Sequence, residues 1–337
     1  MKSNKTTLAM GAVIVLLAIL AGAGAALLSG AQTPPTEPVS SSAASSTRTV
    51  PATTEADVDW GRTVEQDGMR YELNPSLHPI LFLGADDGGA ALADTTPGEG
   101  RRADTILLLV LDDANKQTRL LAISRDTMAD VDVYDASGRY AYTAPTHINM
   151  QYFYGDSPTR SCFLTKRAVS RLLYGIRIDG CLALNANGIV TIVDLLGGLT
   201  VTMPEDYTEI DARYAAGETL TLTGAETERL LRYRDTAVHG SNEARVERQL
   251  RLIKALVEKL QQSIGASRLE ELLNAAGSDV CSDLDAETLK KLVSYRLDPD
   301  TLTLPGTVVE GEAHDEFHVD NAALRKLLIE LLYQPAS

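Results

Sequence analysis

An uncharged apolar run dominates the start of the hydrophobic pattern: residues 8–28 read LAMGAVIVLLAILAGAGAALL. About 20 apolar residues can cross the hydrocarbon core of a membrane as a helix. Lys2 and Lys5 precede the run, so the positive-inside rule predicts a cytoplasmic segment at 1–7, a single-pass signal-anchor at 8–28 and an extracellular remainder at the cell membrane. The alternative is a cleaved signal peptide, whose apolar region usually spans only about 7–15 residues.

The next segment, residues 29–72, is predicted to be a linker because much of it is rich in Ser, Thr, Pro and Ala. Such a composition cannot bury enough apolar surface to fold. We expect it to act as a spacer that holds the following domain away from the membrane.

Beyond the linker, short apolar runs alternate with segments of helical periodicity. The runs at 79–84, 105–111 and 118–124 predict strands, and the polar DDANKQ between the last two predicts an antiparallel hairpin. Interleaved strands and helices predict an α/β fold with a mixed central β-sheet covered by helices. Further strands are predicted at 176–184 and 199–203, and helices at 162–174, 186–196, 224–232, 244–262, 267–276, 285–294 and 321–333.

Composition narrows the function classes. The chain has 31 Lys and Arg against 46 Asp and Glu, a net charge of −15, which argues against general nucleic-acid binding. Three cysteines exclude a disulfide scaffold and a zinc ribbon. Cys162 and Cys181 flank one predicted helix and its following strand, so a disulfide between them outside the cell stays open, with Cys281 left over.

Charged residues gather where the predicted strands end. Asp86 follows the first strand, Arg102 and Asp104 precede the second, and Arg125 and Asp126 follow the third. A hairpin centred between residues 114 and 115 places position 104 opposite position 125. We therefore expect two carboxylates and two arginines to converge at one sheet edge; the alternative is a set of surface ion pairs, which are worth little.

A second cluster lies between residues 231 and 249. Arg232 and Arg234 have the spacing of an extended segment that points both side chains the same way. Residues 241–242 can cap the following helix, on which Arg245 and Gln249 share one face. An arginine in a first helical turn is favourable when an anion binds there, although a solvated basic face is the alternative. Carboxylates together with arginines suggest Mg²⁺ (or Mn²⁺) with a phosphate or pyrophosphate.

Seven motifs run in order through residues 80–260: ILFLGADD, RRADTILLLVLD, LLAISRDT, THINMQYFYG, LNANGIVTIVDLLGGLTVTMPED, LTGAETERLLRYR and ARVERQ. This set resembles the LytR-CpsA-Psr family of cell-envelope transferases. The resemblance implies a LytR-CpsA-Psr-like extracellular catalytic domain at 73–265, followed by a C-terminal helical extension at 266–337. It also implies transfer of a glycopolymer, such as teichoic acid or capsule, from a polyprenyl-pyrophosphate carrier to peptidoglycan, usually to the C6 hydroxyl of N-acetylmuramic acid.

Carried over by position, the resemblance assigns roles to individual residues. Asp86 and Asp104 would hold Mg²⁺, and residues 189–199 would line an apolar channel for the polyprenyl tail. Catalysis would centre on Asp104, Arg125 and Arg245. The pyrophosphate would be bound by Arg102, Arg125, Arg232, Arg234, Arg245 and Gln249.

Two positions depart from the family's pattern. The family often has Lys where this chain has His147, and an Asp where it has Asn242. The Asp is a candidate for activating the acceptor hydroxyl, and an Asn cannot take a proton. Position 242 is thus the one associated with acceptor activation, and because Asn242 cannot act as the base, Asp126, Asp235 or Glu243 could substitute for it; the sequence does not choose among them. A polyprenyl-pyrophosphate pyrophosphatase and a non-catalytic lipid-polymer binding or regulatory protein are the competing hypotheses.

Overall fold

The computed structural model describes residues 63–86, 92–233, 266–311 and 315–336, together with positions 252, 255, 256 and 259. The predicted signal-anchor and most of the predicted linker lie outside these residues. Within the described part, no helix has both the length and the apolar character to span a membrane. The four isolated positions are helical and fall inside the helix predicted at 244–262.

The elements follow one another with strands and helices interleaved. The strands are β1 (Thr63–Gln66), β2 (Met69–Leu73), β3 (Leu77–Asp86), β4 (Arg102–Asp112), β5 (Gln117–Ile123), β6 (Met128–Tyr134), β7 (Tyr140–His147), β8 (Gly180–Asn185), β9 (Leu199–Thr202), β10 (Thr219–Leu222), β11 (Val280–Ser282), β12 (Arg296–Thr303), β13 (Gly306–Val309), β14 (Glu316–Val319) and β15 (Tyr333–Pro335). The helices are α1 (Met150–Phe153), α2 (Pro158–Leu172), α3 (Ala186–Leu195), α4 (Gly224–Arg232), α5 (Ala266–Ala276), α6 (Ala286–Ser294) and α7 (Asn321–Leu332).

A six-stranded sheet with the order β11-β8-β3-β4-β5-β12 forms the centre of the fold. β3, β4 and β5 are antiparallel neighbours, whereas β8 runs parallel to β3 and β12 runs parallel to β5. The sheet is therefore mixed, as the sequence pattern predicts.

Both faces of the central strands are covered, which explains their continuous apolar runs. Alternate residues point to opposite faces of a strand. Thus Phe82 and Leu107 join a core with α3, α4, α5 and α6 on one face. Leu83 and Leu108 join a second core with α2 and α7 on the other.

Two predicted domain boundaries are wrong. Residues 63–72, predicted as linker, form β1 and β2, and β2 pairs with β15 at the end of the chain. The segment 266–337, predicted as a helical extension, also supplies β11 and β12, the two edge strands of the central sheet. Edge strands carry polar residues and even proline, as RLDPDTLT of β12 does, so they lack a clear apolar pattern.

Capping residues in the sequence explain where α4 and α2 begin. α4 begins after Thr223, whose side chain accepts a hydrogen bond from the backbone N–H of Glu226, and the Glu226 carboxylate accepts one from Thr223 in return. α2 begins at Pro158 behind the N-cap Ser157, four residues earlier than the apolar pattern predicts. The hairpin of β6 and β7, which the sequence analysis did not predict, packs β6 against α2.

Candidate functional site

The predicted hairpin register is confirmed. β4 and β5 pair from Ile106 with Ile123 to Asp112 with Gln117, which continues to a pairing of position 104 with 125. In agreement with this, Arg125 Nη1 lies 2.8 Å from Asp104 Oδ2. The Asp104 side chain is 2% exposed and that of Arg125 is 20% exposed, so this is a buried ion pair at the edge of the sheet.

A β-bulge sets the position of Asp104. In the β3–β4 ladder, Gly84 pairs with Thr105 and Ala85 pairs with Ala103, which leaves Asp104 as the extra residue. A bulge bends its strand and redirects the side chain of the extra residue. The ladder then ends with Asp86 opposite Arg102. The backbone positions of Asp86, Arg102 and Asp104 therefore lie at the same end of the sheet.

Asn149 joins this pair and was missed by the sequence analysis. Its backbone N–H donates to the carbonyl oxygen of Arg125 at 3.3 Å, and its own carbonyl oxygen accepts from the N–H of Ala103 at 3.3 Å. Its side-chain Nδ2 lies 3.5 Å from Asp104 Oδ1. The side-chain Oδ1 is buried and has no hydrogen-bond partner among the described residues.

The side-chain oxygens of Asp104 and Asn149 fit a hard divalent cation. Mg²⁺ is typically held by one or two carboxylates while phosphates and water fill its other positions. The carboxylate of Asp104 and the unpaired Oδ1 of Asn149 are adjacent oxygen donors, and Asp86 ends the neighbouring strand. Among the residues that the structure describes, no three His, Cys, Asp or Glu side chains are grouped to hold a metal ion.

Two further charged residues flank the buried pair. The guanidinium carbon of Arg102 lies 6.0 Å from the centre of the Phe153 ring, while the side chain itself is exposed. The Asp126 Oδ1 lies 3.4 Å from Arg125 Nε, and the Asp126 side chain is 23% exposed. The edge of the sheet therefore combines a buried carboxylate, an accessible carboxylate and two guanidinium groups.

The second predicted cluster is described only at Arg232. This residue ends α4, and its Nε lies 2.7 Å from Glu228 Oε1 one turn earlier, although the Nε–H is not aimed to make a hydrogen bond. The other predicted members, Arg234, Asn242, Arg245 and Gln249, lie outside the described residues. Their convergence with the first cluster stays a prediction.

The three cysteines are free thiols in the structure. Cys162 and Cys181 are buried, and Cys281 is partly exposed. A hydrogen-bonding contact with the Cys181 thiol, reinforced by burial, raises the pKa of Cys162 well above its usual range. No Cys162–Cys181 disulfide is formed.

Comparisons with known proteins agree with this fold. The model of the LytR_cpsA_psr family matches residues 42–331 of the chain. The Enterococcus faecalis protein named polyisoprenyl-teichoic acid–peptidoglycan teichoic acid transferase TagU is 25% identical over 267 residues, which cover 77% of this chain and 80% of that relative. The protein of the same name from Halalkalibacterium halodurans is 27% identical over 218 residues, and this chain covers only 64% of the length of that relative.

A solved structure shows the shared fold. The crystal structure of TagV from Bacillus subtilis has a TM-score of 0.56 at 23% identity, over 77% of this chain and 97% of the TagV chain.

Proposed function

This chain belongs to the LytR-CpsA-Psr family, and we propose that it transfers a glycopolymer from a polyprenyl-pyrophosphate carrier to a peptidoglycan hydroxyl. Two of its relatives carry the name of teichoic acid transferases that act on peptidoglycan. The observation that carries the proposal is the buried Asp104–Arg125 pair beside the unpaired Asn149 Oδ1, at the sheet edge that Arg102 shares.

Arginines at this edge suit the binding of a pyrophosphate. A guanidinium presents five N–H donors, and the Asp104 contact uses Nη1 of Arg125, so further donors of Arg125 remain for phosphate oxygens. Asp104 fixes the orientation of that guanidinium, and the exposed Arg102 adds a second positive charge. In our proposal the remaining phosphate contacts come from Arg232, Arg234, Arg245 and Gln249.

The reaction we propose is a phosphoryl transfer. The acceptor oxygen forms a bond to the sugar-linked phosphorus, the bond from that phosphorus to the lipid phosphate breaks, and a polyprenyl monophosphate leaves. Asp126 is our choice for accepting the hydroxyl proton, because its carboxylate is accessible and Arg125 fixes its position. Asn242 would orient the hydroxyl by a hydrogen bond. The arginines stabilise the negative charge that develops on the phosphate oxygens.

Asp104, Asn149 and, at the end of the neighbouring strand, Asp86 are the residues that would hold Mg²⁺. When bound, the ion supplies positive charge to the pyrophosphate oxygens. Manganese prefers similar oxygen ligands and would serve in its place.

We further propose that the predicted signal-anchor at 8–28 places this domain on the outer side of the cell membrane, next to its lipid carrier. The carrier's apolar tail would lie along residues 189–199. In the described structure Ile189, Ile192 and Val193 are buried in the core beside α4, and Leu195 is exposed.

Acceptor dependence tests the proposal. The full chain, purified in detergent, is incubated with a polyprenyl-pyrophosphate oligosaccharide and Mg²⁺, with and without soluble peptidoglycan fragments. We expect sugar to appear on the glycan fragment, and we expect a chelator or the exchange Arg125→Ala to abolish that product. Carrier cleavage at the same rate without acceptor would indicate a pyrophosphatase, and tight binding without turnover would indicate a binding protein; either result refutes the transferase.

A further inference from the structure

Three arginines and one phenylalanine lie along one face of α2. We define the α2 tract as Arg160, Phe163, Arg167 and Arg171. These positions are three, four and four residues apart, which places them on one side of the helix, about one turn from each other. Phe163 is 43% exposed and Arg167 has an exposed side chain, so the tract faces outward. An outward row of arginines is notable in a chain of net charge −15.

Direct contacts hold the tract in shape. The guanidinium carbon of Arg160 lies 5.2 Å from the centre of the Phe163 ring and 5.3 Å from that of Tyr134 on β6. The guanidinium carbon of Arg167 lies 5.9 Å from the Phe163 ring centre. Cations over aromatic rings keep their N–H groups available for an additional ligand. The rings therefore position these arginines without neutralising them.

The positive charge of the tract exceeds its local compensation. A single buried carboxylate, that of Asp132, is shared by Arg167 at 3.4 Å and Arg171 at 2.9 Å. Arg160 has no ion pair with any residue that the structure describes. Asp130 adds a Coulombic interaction with Arg171, so the three guanidinium groups meet two nearby carboxylates and positive charge remains in excess along the helix.

The tract begins next to the candidate functional site. Arg102 contacts the Phe153 ring, whose centre lies 5.4 Å from that of Tyr154. Gly155 then packs so closely on the first turn of α2 that a Cβ there would collide with Ser161. These contacts link Arg102 to the first turn of α2 through residues 153–155.

The tract ends in two open clefts that share Tyr174. One has a volume of about 650 Å³ and is lined by Lys166, Arg167, Arg171 and Arg177 as well as Tyr174. The other, of about 450 Å³, is lined by Tyr174 together with Arg325 and Lys326. Lys166 and Arg177 have partners of their own, at 2.7 Å from Asp283 and 3.0 Å from Asp179.

We propose that the α2 tract binds a polyanionic stretch of the glycopolymer, a chain with repeating phosphodiester or carboxylate groups. This inference rests on the proposed function, because it makes the tract the place where the polymer lies while its terminal phosphate is at Arg125. Guanidinium groups spaced by two turns and then one turn of the helix match a ligand with repeated negative charge. An anionic membrane is the less suitable partner, since the cations follow a line that ends in clefts and do not form a flat basic face.

Binding by the full chain tests the inference with synthetic poly(glycerol phosphate) as the probe and dextran as the uncharged polymer. We expect the double exchange Arg160→Gln with Arg167→Gln to weaken poly(glycerol phosphate) binding about tenfold and to reduce its salt dependence. The matched control, Arg268→Gln with Lys290→Gln, removes two exposed cations from α5 and α6 and should change binding less than twofold. Equal weakening by both double variants, or equal binding of dextran and poly(glycerol phosphate), would overturn the proposal.

Two additional measurements separate the alternatives. The membrane arm compares vesicles of phosphatidylglycerol and phosphatidylcholine with vesicles of phosphatidylcholine alone, because the predicted signal-anchor would bind to both. If the Arg160/Arg167 variant loses the preference for phosphatidylglycerol while its poly(glycerol phosphate) binding is unchanged, the tract belongs to the membrane and our proposal is refuted. In the transfer assay, we expect the wild-type chain to prefer an anionic donor over a neutral donor of equal length, and the variant to lose that preference. If the wild type transfers neither donor, the proposed function fails, while the binding arm still decides the role of the tract.

Discussion

The exchange Asp104→Asn tests the ion pair on which the candidate site depends. It removes one negative charge and preserves the size of the side chain. Asp104 is 2% exposed, and its Oδ2 lies 2.8 Å from Arg125 Nη1. The exchange therefore leaves the Arg125 guanidinium in a mostly buried position without its closest counter-charge.

The expected loss of stability follows from the burial of the two partners. Removing one partner of a buried pair costs about 3–5 kcal/mol. Arg125 is 20% exposed and retains Asp126 at 3.4 Å from its Nε, so we expect about 2–3 kcal/mol. For a domain of this size that corresponds to a fall in Tm of about 5–10 °C. Transfer should fall about 100-fold or more, or about 2.7 kcal/mol in the activation barrier, because both the arginine and the proposed cation lose their anchor.

Asp113→Asn is the matched control, since Asp113 follows the opposite end of β4. Its Oδ2 lies 2.7 Å from Lys291 Nζ, and its side chain is 28% exposed. We expect a smaller loss of about 1 kcal/mol and transfer within about threefold of wild type, because partly exposed pairs contribute less. Thermal unfolding and initial transfer rates at saturating donor measure both effects. An Asp104→Asn protein that is folded and keeps more than a third of the wild-type rate would refute the assignment of the site, as would an equal loss in Asp113→Asn.

Three further predictions concern other groups. Asn149→Ala removes the unpaired buried Oδ1; we expect the Mg²⁺ concentration for half-maximal transfer to rise about tenfold, whereas an unchanged Mg²⁺ dependence would exclude Asn149 from the ion's surroundings. Burial raises the pKa of Asp132, but hydrogen bonds from Arg171 and Thr143 outweigh burial and hold the pKa below 3.8. The ionised carboxylate therefore stabilises the fold above about pH 4, and this contribution is lost as the pH falls through the lowered pKa, so the free energy of unfolding in urea should fall less steeply with acid in Asp132→Asn than in the wild type. Parallel curves of unfolding free energy against pH for the two proteins would contradict this. The contact with Cys181 and burial raise the pKa of Cys162, so iodoacetamide at about pH 8 should label Cys162 only in urea, as peptide mass spectrometry would show; rapid labelling of the folded protein would be inconsistent with the described packing.

The central part of the fold and one half of the site follow from local sequence patterns. Strands covered on both faces read as unbroken apolar runs, and the polar turn between β4 and β5 fixes their register. In an antiparallel pair of strands, the numbers of two facing residues have a constant sum. The pairing of Asp104 with Arg125 could therefore be predicted from residue numbers alone, and the 2.8 Å distance between Arg125 Nη1 and Asp104 Oδ2 confirms it.

Long-range contacts explain what the sequence analysis missed. Asn149 is a polar residue in a loop, and its hydrogen bonds to Ala103, Asp104 and Arg125, each more than 20 residues away in sequence, bring it to the site. The edge strands β11 and β12 pair with segments about 100 to 180 residues away in sequence, and their partial exposure removes the apolar pattern. β1 and β2 were assigned to the linker for the same reason, since β2 pairs with β15, about 260 residues later in the sequence.

The fate of the sugar-linked phosphorus tests the central claim most directly. A polyprenyl-pyrophosphate oligosaccharide is incubated with the full chain, Mg²⁺ and a peptidoglycan fragment, and the products are separated and identified by mass spectrometry and ³¹P NMR. The account predicts equal amounts of polyprenyl monophosphate and of a glycan fragment joined to the sugar through a phosphodiester. A glycan product without phosphorus, accompanied by polyprenyl pyrophosphate, would contradict it, because the acceptor would then have attacked the sugar carbon and not the phosphorus that Arg125 is proposed to bind.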